Sequence, residues 1–245
     1  MTTVSAEAKA ESKATASASS ADAIDVLERL LAERYSCRAF KPDPVPRAVI
    51  ERIARTAQRT ASWCNSQPWH ATIISGAEKE RFRKAMYEEA ASGAESAPDF
   101  PWPREYIGVY QARRRESGFQ LYDAVGIAKG DRVAAAKQAL ENYNFFGAPH
   151  VAIITTTEPL GVYGAVDCGA YVGNFMLAAQ ALGIGSIAQA ALARRSDVVR
   201  DHLKLPDDRR VVCGISFGYA RHDHIINSYR TSRAPLSEAV TFVGK

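Results

Sequence analysis

Cysteine is scarce and never paired. Cys37, Cys64, Cys168 and Cys213 are spread through 245 residues with no close spacing between any two. That distribution excludes a disulfide framework and a thiolate zinc site, and it fits reduced thiols in a cytoplasmic protein. Histidine is also sparse, with five in all. His222 and His224 have no third ligand at a metal spacing, so no metal site is expected. No uninterrupted apolar run approaches the ~18 residues of a membrane-spanning helix. The net charge is +4, yet Lys and Arg are scattered rather than blocked. This excludes a nucleic-acid or membrane-surface footprint and leaves a small anionic ligand.

What the chain does have is enough apolar residue, 47%, to build one full core. Residues 1–21 are rich in Ala, Ser, Thr, Lys and Glu and lack the apolar stretch of a secretory signal, so they read as a disordered lead. A single domain is expected over 22–245. Asp22 is a good N-cap for a first helix with Ile24, Leu27, Leu30 and Leu31 on one face. Pro46 can open a second, with Ile50, Ile53, Ala54 and Ala57 aligned. Strands are expected at 71–75, 151–156, 186–189 and 210–218, and helices at 77–91, 131–146, 167–182 and 196–203. Residues 92–130, with Pro98, Pro101 and Pro103 and several aromatics, show no clear period and read as an insertion that serves binding. An extended tail follows at 219–245. Few strands among many helices fit an α/β or α+β layer architecture.

Two motifs mislead. Gly183-Ile184-Gly185-Ser186-Ile187-Ala188 matches a dinucleotide fingerprint, but it follows a helix instead of a strand, so its glycines end that helix. Gly214-Ile215-Ser216-Phe217-Gly218 matches a hydrolase elbow, but no helix follows the serine, and Asp223 and His224 come too soon to complete a triad. Ser216 is therefore expected to be a strand residue. No side chain is expected to act as a nucleophile.

The informative stretches lie elsewhere. Arg34-Tyr35-Ser36-Cys37-Arg38 sets two guanidinium groups and a hydroxyl at alternate positions, and Arg presents a planar fork that matches phosphate. Arg230 and Arg233 add a second pair near the end. Ser62-Trp63-Cys64-Asn65-Ser66-Gln67-Pro68-Trp69 packs side-chain amides and hydroxyls before a rigid Pro-Trp step, and such amides offer donor and acceptor together. A flavin nucleotide needs cations for its phosphate, polar groups for its ribityl chain, and a flat enclosure with donors along one ring edge.

These segments, in this order, resemble the nitroreductase family over about residues 22–235. The resemblance implies an α+β nitroreductase-like fold, a central, mostly antiparallel sheet flanked by helices, in an intertwined homodimer. It implies that Arg34, Ser36, Arg38, Arg230 and Arg233 hold the phosphate of flavin mononucleotide (FMN). Ser62, Asn65 and Gln67 would reach the flavin of the partner subunit. Gln189, Ala190 and Ala191 would pass one face of the ring, with backbone N–H groups directed at N5. Asn144 would contact the pyrimidine edge, and Phe145, Phe146 and Trp63 would line the substrate side, unless the two Phe residues simply pack the core at the end of a helix. Trp63 and Cys64 stand where small residues are usual, and Ala188 where proline is frequent. The implied activity is two-electron reduction of nitroaromatic compounds to nitroso and hydroxylamino products, with NADH or NADPH as donor in alternating half-reactions. Reduction of quinones, enones or free flavin, or flavin binding without turnover, are the alternatives.

Overall fold

Strand β2, His150–Thr157, is buried along almost its whole length and organises the rest. It lies between β1 (His70–Ser75) and β4 (Arg209–Gly218), and β3 (Gly185–Gln189) closes the far edge in the order β1-β2-β4-β3, with every pairing antiparallel. Side chains alternate across a strand. Val151 and Ile153 accordingly enter one apolar layer, while Ala152 and Ile154 enter the other. The first layer holds Phe82 and Met86 from α3 (Gly76–Ala91) and Val199 from α7 (Ser196–Leu203). The second holds Ile50 and Ile53 from α2 (Arg47–Ala57) and Cys168, Tyr171 and Phe175 from α6 (Gly161–Ala181). A sheet buried on both faces explains why β2 reads as a continuous apolar run. Each fully buried Ile or Phe contributes about 1.5–3 kcal/mol.

The structure, a computed structural model, describes residues 20–244, with side chains from Asp22 on. The expected disordered lead lies outside the described residues except at its last two positions, where helix α1 (Ser20–Glu33) has already begun. Asp22 is therefore in the first turn rather than at the cap, where a carboxylate favours the helix dipole. The described chain divides into two units at Glu33. The first is α1 itself, with Ile24, Leu27 and Leu31 largely exposed. The second runs from Arg34 onward.

Two expected elements differ. The insertion contains a 17-residue helix, α4 (Gly108–Ala124), with no buried residue. Such a helix lacks the apolar stripe by which a sequence announces it. The expected helix over 131–146 is shorter. In α5 (Arg132–Leu140) the Asp131 carboxylate caps the start by accepting from the Ala134 N–H at 2.9 Å. The chain then turns through Phe145 and Phe146, both left-handed at φ 54° and 52°. The 214–218 glycines have a steric reason. A Cβ on Gly218 would sit 2.5 Å from Cδ of Pro149, and one on Gly214 would overlap Leu192. Ser216 is fully buried, and its hydroxyl donates to Gln189 Oε1 at 2.5 Å, so it is a strand residue. Among the described residues, no helix is long and apolar enough to cross a membrane, and no cluster of His, Cys, Asp and Glu is placed to hold a metal ion.

Candidate functional site

The segment 34–38 leaves α1 in extended form, and Ser36 bridges to Ser186 at the start of β3. The Cys37 N–H donates to the Ser186 carbonyl at 3.1 Å, which fixes the segment along the sheet edge. The tail returns to the same place. Asn227, buried at its turn, accepts from the Arg38 N–H at 2.8 Å and donates to the carbonyls of Ala39 and Arg221. Arg34, Arg38, Arg230 and Arg233 are thereby gathered from chain positions nearly 200 residues apart.

Their electrostatics are unusual. Burial, and then the charge of Arg233, lowers the Arg34 pKa, and burial lowers that of Arg38. Guanidinium does not lose its proton in proteins, so both directions describe charges held where charge is disfavoured. Among the described residues none of the four forms an ion pair, whereas Arg83, Arg113, Arg195, Arg200 and Arg221 each have a carboxylate. Among the described residues, Arg38, Arg230 and Arg233 make all their side-chain hydrogen bonds through Nη1. Nε and Nη2 are left for another acceptor, and the geometry suits the paired oxygens of a phosphate.

At the end of β3 a 3-10 turn, Ala190–Arg194, begins without a side-chain cap. The first N–H groups of such a turn have no partner within it. Ala190 is exposed and Ala191 half-buried, so this end of the turn lies at the surface. The Gln189 side chain is turned into the fold. It is 2% exposed, donates to the Asn142 carbonyl at 2.9 Å and accepts from Ser216, so both ends of its amide are engaged within the chain.

The loop 62–69 is built separately. Ser62 Oγ accepts from the Gln67 N–H at 2.9 Å, Gln67 Nε2 donates to Asn65, and Gln58 donates to Gln67 Oε1. Cys64, Asn65 and Gln67 all have positive φ, 52°, 52° and 48°. Non-glycine residues in this region cost about 1–3 kcal/mol each and cluster where function demands a shape. Asp167 on α6 accepts from the Trp63 N–H, and the Trp63 ring meets Tyr163 edge-on at 4.7 Å. These residues line a cavity of about 330 Å³ together with Cys64, Leu160 and Pro159. Among the described residues, no hydrogen bond, ion pair or ring contact joins this loop to the arginine cluster.

Other expected residues fall differently. Phe145 has no exposed surface and stacks on Phe82 at 5.5 Å, so it belongs to the core and cannot face a substrate. Phe146 is 7% exposed but borders a cavity of about 510 Å³ that also has Arg38, Arg221 and His224 on its wall. The Asn144 amide is engaged at both ends, donating to Glu141 and accepting from Arg83 at 3.1 Å. A ligand contact there would have to replace one of these bonds. Two aromatics of the insertion pair with arginines: Trp102 lies under Arg194 and Tyr106 under Arg114. Tyr35, Asn227 and Tyr229 were missed by sequence reasoning. The available signal was a tyrosine adjacent to an arginine in both segments, Arg34-Tyr35 and Tyr229-Arg230.

Comparison with known proteins follows the same segments. The model of the family described as "Nitroreductase family" matches residues 31–219. A nitroreductase named NfnB from Mycolicibacterium smegmatis is 38% identical over 223 residues, covering 90% of this chain and 94% of its own. A 4-nitrobenzoate reductase from a Nocardioides species is 31% identical, covering 90% of this chain and 91% of its own. The crystal structure of the FMN-dependent NfnB from Mycobacterium smegmatis in complex with NADPH superposes with a TM-score of 0.87 at 37% identity, covering 91% of this chain and 100% of that one.

Proposed function

The chain belongs to the nitroreductase family, and from that premise we propose that it is an FMN-dependent enzyme that uses NADPH to reduce nitroaromatic compounds. The observation that carries this reading is the set of arginines at 34, 38, 230 and 233, without carboxylates and with guanidinium edges unclaimed. Such a cluster favours an anion of more than one charge, and a phosphate monoester fits it. Ser36 adds a hydroxyl, and the N–H groups at 190 and 191 offer donors to the ring edge. The residues present therefore fit the nucleotide.

Bound there, FMN would supply two-electron hydride chemistry between NADPH and the substrate. The chain's own residues bind, orient and exclude water. Each two-electron step on a nitro group consumes one NADPH and one proton. The first releases water to give the nitroso compound, and the second gives the hydroxylamine. A nitrobenzoate-like substrate is supported by the relatives named 4-nitrobenzoate reductase.

The working unit in this reading is a homodimer. Among the described residues no hydrogen bond, ion pair or ring contact joins the loop 62–69 to the arginine cluster, so the loop is free to complete the site of a second copy. Val162 and Val166, 66% and 61% exposed on α6 beside that loop, supply an apolar face for the contact. Symmetric dimers are the commonest oligomers.

The test is the visible spectrum of the purified protein, before and after anaerobic NADPH and then 4-nitrobenzoate. A yellow protein that NADPH bleaches and the nitro compound restores is expected. A colourless protein that takes up no FMN overturns the reading. A quinone turned over faster than any nitroaromatic overturns the substrate class.

A further inference from the structure

We propose that Tyr35 and Tyr229 are positioning residues of the arginine cluster, exchanged between the two chain segments that form it, and that they set its preference for a phosphorylated flavin. The inference rests on the FMN reading above. Arg38 Nη1 donates to Tyr229 Oη at 2.8 Å. The Arg230 guanidinium carbon lies 3.8 Å from the centroid of the Tyr35 ring. Each segment thus contributes one arginine and one tyrosine, and each tyrosine holds the arginine of the other segment. Tyr35 is half-buried and packs on the core layer that contains Cys37, so its ring is a fixed platform.

The chemistry explains why tyrosine serves here. Arginine carries large rotamer freedom, and mutually repelling guanidinium groups scatter unless something holds them. A carboxylate would hold them by neutralising the charge that the ligand must meet. A phenol holds without discharging: its oxygen accepts a hydrogen bond, its ring face attracts a cation, and it stays neutral. Burial pushes the Tyr35 hydroxyl up to about 12, which keeps it protonated. Because Arg38 and Arg230 use only Nη1 within the chain, the tyrosines orient both groups without consuming the Nε and Nη2 edge.

The experiment compares FMN and riboflavin, which differ by the phosphate alone, as ligands of the full chain stripped of flavin. Fluorescence titration gives both dissociation constants for the wild type, Tyr35→Leu, Tyr35→Phe and Tyr229→Phe. Tyr35→Leu and Tyr229→Phe are expected to weaken FMN about tenfold, as for loss of one charge-assisted contact, with riboflavin changed less than about twofold. Tyr35→Phe keeps the ring and is expected to bind FMN like the wild type. A merely structural role would weaken both ligands together, and that result overturns the inference, as does FMN binding unchanged in Tyr35→Leu and Tyr229→Phe. If Tyr35→Leu does not fold, Tyr229→Phe decides alone, because it removes a single oxygen. A wild type that binds riboflavin as tightly as FMN would sink the phosphate reading itself, which separates the two failures.

Discussion

The side-chain oxygen of Asn227 accepts a 2.8 Å hydrogen bond from the backbone N–H of Arg38, across a separation of 189 residues. Its amide nitrogen donates at 2.9 Å to Ala39 and to Arg221. At 4% exposure the residue is a buried pin between the tail and the segment that carries the first arginines. Asn227→Ala would leave the Arg38 N–H without a partner and take one of the bonds accepted by the Ala39 and Arg221 carbonyls, which keep those from the Arg221 and His224 N–H groups, at a cost of about 2 kcal/mol. Urea denaturation should show a lower midpoint with an unchanged slope. A loss below about 0.5 kcal/mol would mean that water replaces the amide.

The like charges of Arg34 and Arg233 predict opposite effects on the stripped and the loaded protein. Arg233→Gln removes the repulsion that, after burial, depresses the Arg34 pKa. Stripped of flavin, the variant should be as stable as the wild type or more so, while its FMN affinity falls about tenfold, as for loss of one charge-assisted contact. Thermal melts with and without FMN check both halves. A stripped variant less stable than the wild type would show that Arg233 is a structural residue.

His150 predicts a pH dependence. Its Nε2 accepts from the Val45 N–H at 2.9 Å, so Nδ1 carries the ring proton and faces Ser75 Oγ at 2.6 Å. Burial, and then the charge of Lys79, lowers its pKa. A folded-state value below the unfolded one of about 6.5 means that the neutral ring stabilises the fold above that pH. This contribution is lost as pH falls through the folded value. His150→Gln should flatten the fall in urea midpoint between about pH 7 and pH 5. An unchanged slope would place the titration elsewhere.

Arg195 predicts a link between the insertion and the Ala190–Arg194 turn. Its guanidinium is 5% exposed and binds Glu89 and Asp197 at 2.7 and 2.6 Å, as well as the carbonyls of Ala94 and Glu95. The Ala97 N–H also donates to the Arg194 carbonyl at 2.9 Å. The two carboxylates are 40% and 41% exposed and can rehydrate. Arg195→Met should therefore cost about 2 kcal/mol, below the ~3–5 of a fully buried pair. Proteolysis within residues 92–107 should also speed up. Cleavage at the wild-type rate would show that the insertion is held by other contacts.

The residues themselves determined the order of strands and most helices, because period-2 and period-3.6 patterns are local. They also marked the two arginine segments and the loop 62–69, where residue chemistry is concentrated in a few positions. Helix α4 escaped because no face of it is buried, and α5 was read too long because its end at Leu140 carries no glycine or proline stop, the first glycine coming only at Gly147 after the left-handed Phe145 and Phe146. Only the tertiary structure decided how the side chains were used. It turned the Gln189 amide inward to Asn142 and Ser216, gave both ends of Asn144 to Glu141 and Arg83, and sent Phe145 to the core. It also exchanged tyrosines between segments about 190 residues apart. Sequence spacing states which groups are near one another along the chain. A side chain's partner is set by burial and by the competition among all donors and acceptors brought to one place, and that competition exists only once the sheet has closed the two ends together.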